Sequence, residues 1–376
     1  MRARSNPIPR VQSSRAMGVL EALLGIPTAP YFEHAVRAFL RKSLEADGIP
    51  CTLDKHGNMS AHYRRGKARP IAFTAHMDHP GFELLSVQGE TGQARWNGQM
   101  PVFDLRGTKL ALWSPGEAPA RRGTAEVLKG DGRSPGPGTE QIFLRVPASA
   151  RAGDFGHADL PGFELRGELI ASKALDDLAG CAAIVSCLLH LARHRLPGDV
   201  QAVFTRAEET GFKGALAACR SRLISRKRPV VVLECSKVIA GVEQGAGPVI
   251  RVGDRLSVFD AELVAAALAR ARELEKELGI RRQRKLLDGG ACEASAFCAE
   301  GYRSFCLALP LGNYHNTGAE GVSCENIDRR DFLGLVELLS ACSVRGLDPS
   351  AERRRSRAAM RARLTREDLS RLSSSR

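Results

Sequence analysis

The sequence predicts an α/β protein, a doubly wound sheet with a small all-β domain inserted partway along the chain. Two patterns carry this. Before about residue 85 and after about residue 167, short apolar strand-like runs alternate with stretches of helical periodicity. Between Phe82 and Leu165, short alternating runs broken by Gly- and Pro-rich turns replace any helical pattern. A length of 376 residues accommodates both parts. The expected division is a basic tail over 1–16, an α/β domain split between 17–84 and 168–346, a β insert over 85–167 and an Arg-rich tail over 347–376.

Taken in order, Phe32, Val36, Phe39, Leu40 and Leu44 predict a helix over 31–46, closed by Asp47 and Gly48. A strand-like stretch around Cys51 and a turn at His56–Asn58 follow. Residues 70–75 read as a buried strand, with His76 to Gly81 at its carboxyl end. In the insert, 109–113, 124–128 and 141–146 alternate, and Gly132–Thr139 is turn-rich. The α/β pattern resumes with a strand over 168–172 and an apolar helix from Leu178 to Leu191. Next come a strand over 199–205, a helix over 211–223, a strand over 229–233 and a long helix over 259–278. A strand over 303–309 and a last helix over 330–344 complete the order. There is no internal repeat.

Composition excludes several classes. Hydrophobic content of 43% with 26% charged residues is that of a globular protein. No apolar run reaches the ~20 residues of a membrane span, and the N-terminus has no apolar core of a secretory signal. The ten cysteines form no Cys-x-x-Cys pair and sit in apolar or helical contexts. They read as reduced, buried thiols, which fits the cytoplasm. Of the net charge of +13, ten units fall in residues 1–16 and 351–376, so the body is nearly neutral. Such tails suit an acidic partner or nucleic acid, or are simply solvated; no nucleic-acid motif accompanies them.

The chemistry concentrates where strands are predicted to end. His76 and Asp78 follow the 70–75 strand, Asp176 and Asp177 open the helix at Leu178, and Glu208 and Glu209 follow the 199–205 strand. Glu234 follows the 229–233 strand, and His315 lies beyond the 303–309 strand. Each has a plainer account alone: Asp176 as a helix cap with Asp177 favouring the helix dipole, Glu208 and Glu209 as favourable charges at a helix start, Glu234 as an arginine's partner, His315 as surface. All of them at one edge of one sheet is a different matter. Two histidines with several carboxylates make a mixed nitrogen–oxygen donor set suited to zinc, cobalt or manganese and not to calcium. Two dications ~3.5–4 Å apart need a bridging anion and further carboxylates to offset their repulsion. They lower the pKa of a bound water towards ~7 and polarise a carbonyl, while a carboxylate outside the ligand set moves the proton.

The stretches "AHMDHPGFEL", "AGDFGHADL", "IASKALDDLAGC", "TRAEETGFKGA", "GPVIRVGD" and "DGGACEASAF" resemble the metallo-aminopeptidases that assemble tetrahedral particles. This is the glutamyl, leucyl and lysyl aminopeptidase family of the di-zinc exopeptidase clan, some of whose members carry an endoglucanase label. The likeness spans most of the chain apart from its tails. It implies the zinc-exopeptidase, phosphorylase/hydrolase-like fold, with the β insert making oligomer contacts. It also implies two divalent ions, zinc or cobalt first. In that pattern His76 and Glu234 serve one metal, Glu209 and His315 the other, and Asp176 bridges both through a cis Asp176–Asp177 peptide. Asp78 orients the His76 imidazole, and Glu208 is the general base. The chain departs from the family's wording in carrying Glu234 and Glu293 where Asp is usual, and "NYHNTG" in place of "MHSPxE".

The function implied is removal of N-terminal residues from short peptides, with metal-bound hydroxide attacking the carbonyl and Glu208 shuttling the proton. A homo-oligomer, from dimer to dodecamer, is implied too. The free α-amine of the substrate would be held by Glu208's neighbours, Glu293 or a metal. Two alternatives stand beside this reading: a carboxypeptidase or amidohydrolase of the same clan, suggested by Glu234, and a non-catalytic metal-stabilised scaffold with basic tails.

Overall fold

The computed structural model describes residues 8–99, 105–129 and 140–374. The turn-rich stretch Gly132–Thr139 and the tail arginines Arg2 and Arg4 lie outside the described residues.

Four parallel strands form the centre of an eight-stranded mixed sheet: Gly198–Thr205, Pro70–His76, Val230–Lys237 and Ser304–Leu311, side by side in that order. Their side chains are buried almost without alternation, from Ile71 to His76 and throughout Ser304–Leu311. That is the signature of a parallel sheet covered on both faces. Met59–Arg65 pairs antiparallel on one side with Cys51–Leu53 beyond it, and Val249–Arg251 with Gln283–Lys285 flanks the other. Helix Leu178–Arg193 packs on the central strands and against Ser13–Leu24, His34–Glu45 and Arg329–Arg345. Helices Lys213–Ser221 and Glu293–Ala299 form a second group. Phe73, Phe204, Phe297, Phe305 and Phe332 are fully buried in the core, each contributing roughly 1.5–3 kcal/mol of transfer free energy.

The small β unit is a closed antiparallel barrel with strand order Gly81–Gln88, Thr91–Asn97, Glu140–Arg145, Arg121–Lys129, Lys109–Trp113, Phe155–Ala158. Its interior follows the period of two: Phe82 and Leu84, Ala94 and Trp96, Leu110 and Leu112, Ala125 and Val127, Ile142 and Leu144. Phe32 stacks on Phe155 with ring centroids 4.8 Å apart, joining the barrel to the α/β part. The fold class is therefore the one the sequence predicts.

Several local expectations change. The strand before Asp176, Leu169–Ser172, belongs to a separate three-stranded sheet with Glu164–Arg166 and Glu325–Asp328, not to the main sheet. The strand expected to end at Leu233 runs on to Lys237, so Glu234 lies inside it. In place of one helix from Gly211, a short 3-10 turn over Glu208–Thr210 precedes a helix over Lys213–Ser221. Helix Ser13–Leu24 starts within the stretch expected as tail and buries Ala16. The C-terminal stretch forms helices Pro349–Arg361 and Arg366–Ser374, neither with a buried residue. All ten cysteines are free and none is exposed. No helix among the described residues is long and apolar enough to cross a membrane.

Gly156 shows how tightly the barrel closes: a Cβ there would lie 2.1 Å from the Ala111 carbonyl oxygen and 2.6 Å from the Phe82 ring. Gly156→Ala should destabilise the barrel by about 1–3 kcal/mol. Trp96 and Trp113, the only two tryptophans, both lie on barrel strands. Their fluorescence should therefore report melting before far-UV circular dichroism does, whereas coincident, unshifted transitions would contradict this.

Candidate active site

Strand order brings distant segments to one edge. His76 is the last residue of its strand, next in the parallel register to Thr205, and the Glu208–Thr210 turn begins three residues after Thr205. The left-handed Ala207 (φ +50°) aims that turn, and Glu33 holds it by accepting the Ala207 N–H at 3.0 Å and the Arg206 Nε at 2.7 Å. Gly214 is required for the same turn, since a Cβ there would lie 2.3 Å from the Arg206 carbonyl oxygen.

Asp176 is delivered by a cis Asp176–Asp177 peptide. Asp177 caps the next helix, accepting the Gly180 N–H at 3.1 Å. A side chain at Gly180 would collide with that carboxylate, which accounts for the glycine in "LDDLAG". Asp176 itself is 1% exposed and faces two histidines. Its Oδ1 lies 3.4 Å from His76 Nε2, and its Oδ2 lies 3.9 Å from His315 Nε2. His76 Nε2 is also 3.9 Å from Glu234 Oε1, and His315 Nε2 is 3.2 Å from Glu209 Oε2.

Two donor sets thus share one carboxylate: His76, Asp176 and Glu234, and Asp176, Glu209 and His315, the donor atoms of each within 4.8 Å of one another. The spacing fits a cation better than hydrogen bonding. Two ligands ~2.0–2.1 Å from a tetrahedral ion stand roughly 3.3 Å apart. The buried nitrogens His76 Nε2 and His315 Nε2 and the oxygens Glu209 Oε1 and Glu234 Oε2 have no hydrogen-bond partner, a costly condition unless something else completes them. The residues present fit a pair of divalent ions. Glu208 Oε2 is also 3.9 Å from His76 Nε2, and His76, Glu208 and Glu209 form a further donor group.

Charge interactions show how crowded the site is. Burial would depress His76, yet Glu208, Asp176, Asp78 and Glu234 hold it well above the usual imidazole value. Burial pushes Glu208 well above the carboxylate range, with Glu209, Glu293 and Asp78 adding to the rise against the pull of His76. Glu234 is raised well above it as well, by burial first and Asp176 next.

The neighbouring contacts are more specific than the sequence suggests. His76 Nδ1 donates to the main-chain carbonyl of Asp78 at 3.1 Å; the Asp78 carboxylate is at 3.5 Å. That carboxylate accepts the Glu208 N–H at 3.0 Å and the Glu209 N–H at 3.1 Å. It fixes the acidic turn more directly than the imidazole. Glu293 is fully buried and does not border the cleft, so it is not placed to hold a substrate amine; burial raises it to about 7.

Glu325 is a functional residue that the sequence pattern does not reveal. It is fully buried and accepts three main-chain N–H groups: Leu175 at 2.7 Å, Asp176 at 3.1 Å and His315 at 2.9 Å. Its only signal in the sequence is a charge in the apolar strand "CENID". His79 adds a second tie, donating from Nδ1 to the Asp176 carbonyl at 2.9 Å. The cleft above has a volume of about 480 Å³ and is bordered by Asp176, Glu208, Glu209, Glu234, Tyr314 and His315, within the ~300–1,000 Å³ of small-molecule sites.

Fold and site define an α/β protein with a carboxylate–imidazole centre at the carboxyl edge of a parallel sheet. Residues 148–332 match the M42 glutamyl aminopeptidase family, so the resemblance read from the motifs stands and the chain is a peptidase. An aminopeptidase-named protein of Acetivibrio thermocellus is 27% identical over 344 residues, covering 85% of this chain and 97% of that protein. The glutamyl aminopeptidase of Lactococcus lactis subsp. cremoris is 28% identical over 221 residues, covering 52% of this chain and 60% of that protein. Among solved structures, an aminopeptidase of the archaeon Desulfurococcus kamchatkensis superposes with a TM-score of 0.72 at 19% identity, covering 90% of this chain and 97% of that one. The TET1 peptidase of Pyrococcus horikoshii gives 0.71 at 22% identity, covering 87% and 99%.

Glu325→Ala would strand three buried N–H groups at about 1–3 kcal/mol each. Chemical denaturation should show a loss of several kcal/mol, and a loss below ~1 kcal/mol would contradict the anchoring described above.

Proposed function

We propose that this chain is a two-metal aminopeptidase that releases N-terminal residues from short peptides. One observation carries the reading: Asp176 is shared between two buried donor sets whose nitrogens lack partners, beneath a cleft that Glu208 borders. His76, Asp176 and Glu234 would hold one ion, and Asp176, Glu209 and His315 the other, with zinc or cobalt the best match to the donors. Such ions, when bound, supply an acidified water and a polarised substrate carbonyl.

The remaining work falls to the chain. Glu208 takes the proton of the attacking water and returns it to the departing amine from its place at the edge of the cleft. Asp78 keeps Glu208 and Glu209 at a fixed separation through their N–H groups, and Glu325 does the same for Asp176 and His315. The buried carboxylates around the cleft favour a substrate's protonated α-amine at this end. Homo-oligomerisation is part of the same proposal, since the Pyrococcus horikoshii peptidase assembles into a tetrahedron or a larger octahedral shell.

Activity of metal-loaded wild type beside Glu208→Gln, on free and N-blocked short peptides, tests this. Wild type should release N-terminal residues from free peptides only, and Glu208→Gln should lose about 10²–10⁴-fold in kcat. Equal turnover of blocked peptides would point to the carboxypeptidase or amidohydrolase alternative. Full activity of Glu208→Gln would remove the general base from the mechanism.

A further inference from the structure

The C-terminal stretch takes no part in the site or the core, yet it is built as two helices. Pro349–Arg361 lies against helix Ala261–Leu278, held by an Arg69–Asp348 ion pair at 2.9 Å and by Arg353 on Glu262. After a short turn Arg366–Ser374 follows, and neither helix buries a residue.

The charge of this pair is one-sided, with eight arginines against three acids in residues 349–374. Two of those acids are engaged: Glu352 by Arg355, and Asp368 by the Thr365 N–H at 2.8 Å. Arg357, Arg361, Arg363, Arg366 and Arg371 form no ion pair among the described residues. Large apolar side chains face solvent between them: Met360 is 64% exposed, Leu364 51% and Leu369 50%. Arg357 sits one helical turn before Met360 and Arg361, and Leu364 follows in the turn, so cations and apolar groups share one face.

That mixture selects among polyanions. Nucleic acid would satisfy the arginines but leave the apolar side chains in water, since its bases stack on aromatic residues and 349–374 holds none. An anionic bilayer satisfies both. Arginines reach headgroup phosphates while their stems and the apolar side chains enter the boundary with the acyl layer. No helix among the described residues is long and apolar enough to span the bilayer, which makes the contact peripheral.

We propose that the helical pair Pro349–Arg361 and Arg366–Ser374 is a docking surface for an anionic phospholipid bilayer. Outside its two tails the chain is nearly neutral, so this pair supplies the attraction that holds the catalytic body at a membrane face. The inference goes beyond the two-metal reading and is read by binding alone.

Co-flotation of the full chain with vesicles tests it, with equal parts phosphatidylglycerol and phosphatidylcholine beside phosphatidylcholine alone. Wild type should float with the anionic vesicles only, and binding should weaken steeply at about 1 M salt, where the screening length is ~3 Å. The variant Arg357→Gln/Arg361→Gln/Arg363→Gln/Arg366→Gln should bind about 100–1,000-fold more weakly, at roughly fivefold per arginine. Met360→Ser/Leu364→Ser/Leu369→Ser should lose about 10–100-fold, and deletion of 349–376 should abolish flotation. None of the substituted residues is buried, and circular dichroism of each variant checks that the fold is kept. No flotation of wild type, equal flotation with neutral vesicles, or retention after the deletion would overturn the proposal. So would a DNA duplex bound at least as tightly as the vesicles and unaffected by the three serine substitutions, which would assign the arginines to nucleic acid.

Discussion

Carboxylates crowded into a protein interior repel one another, and the molecule is arranged around that constraint. Asp78, Asp176, Asp177, Glu208, Glu234, Glu293 and Glu325 are all buried close to His76 and His315. Among the described residues no lysine or arginine forms an ion pair with any of them. At ~4 Å and an effective dielectric of about 20, each like-charged pair costs about 4 kcal/mol. Burial first, and the neighbouring carboxylates next, hold Glu208, Glu234 and Asp177 well above the usual carboxylate range. Bound dications would reverse the sign of that cost, turning mutual repulsion into shared attraction.

Holding such a site requires anchors that are themselves spoken for. Asp78, Glu325 and Glu33 each use both carboxylate oxygens to collect main-chain N–H groups or an arginine. They fix, in turn, the acidic turn, the Asp176 and His315 segments, and the left-handed entry to Glu208. Glycines at 180 and 214 let these segments approach closely. The parallel strands supply direction, and the buried carboxylates supply position.

Much of this was readable in the sequence. The α/β class and the barrel follow from the change in hydrophobic period near Phe82, and the donors from their placement after apolar runs. What escaped notice depends on long-range pairing. Leu169–Ser172 reads as any short apolar strand, and only its partner Glu325–Asp328 places it outside the main sheet. Glu325 serves residues 149 and 150 positions away, beyond the reach of local pattern. Glu33 reads as a helix-start charge, yet its bonds run to Arg206 and Ala207.

The central claim is that Asp176 serves two ions at once. Calorimetric titration of metal-stripped protein with zinc tests it directly. Wild type should take up two ions per chain, His315→Ala should keep one, and Asp176→Ala should hold neither tightly. A single ion in wild type, or two retained without the Asp176 carboxylate, would contradict the account.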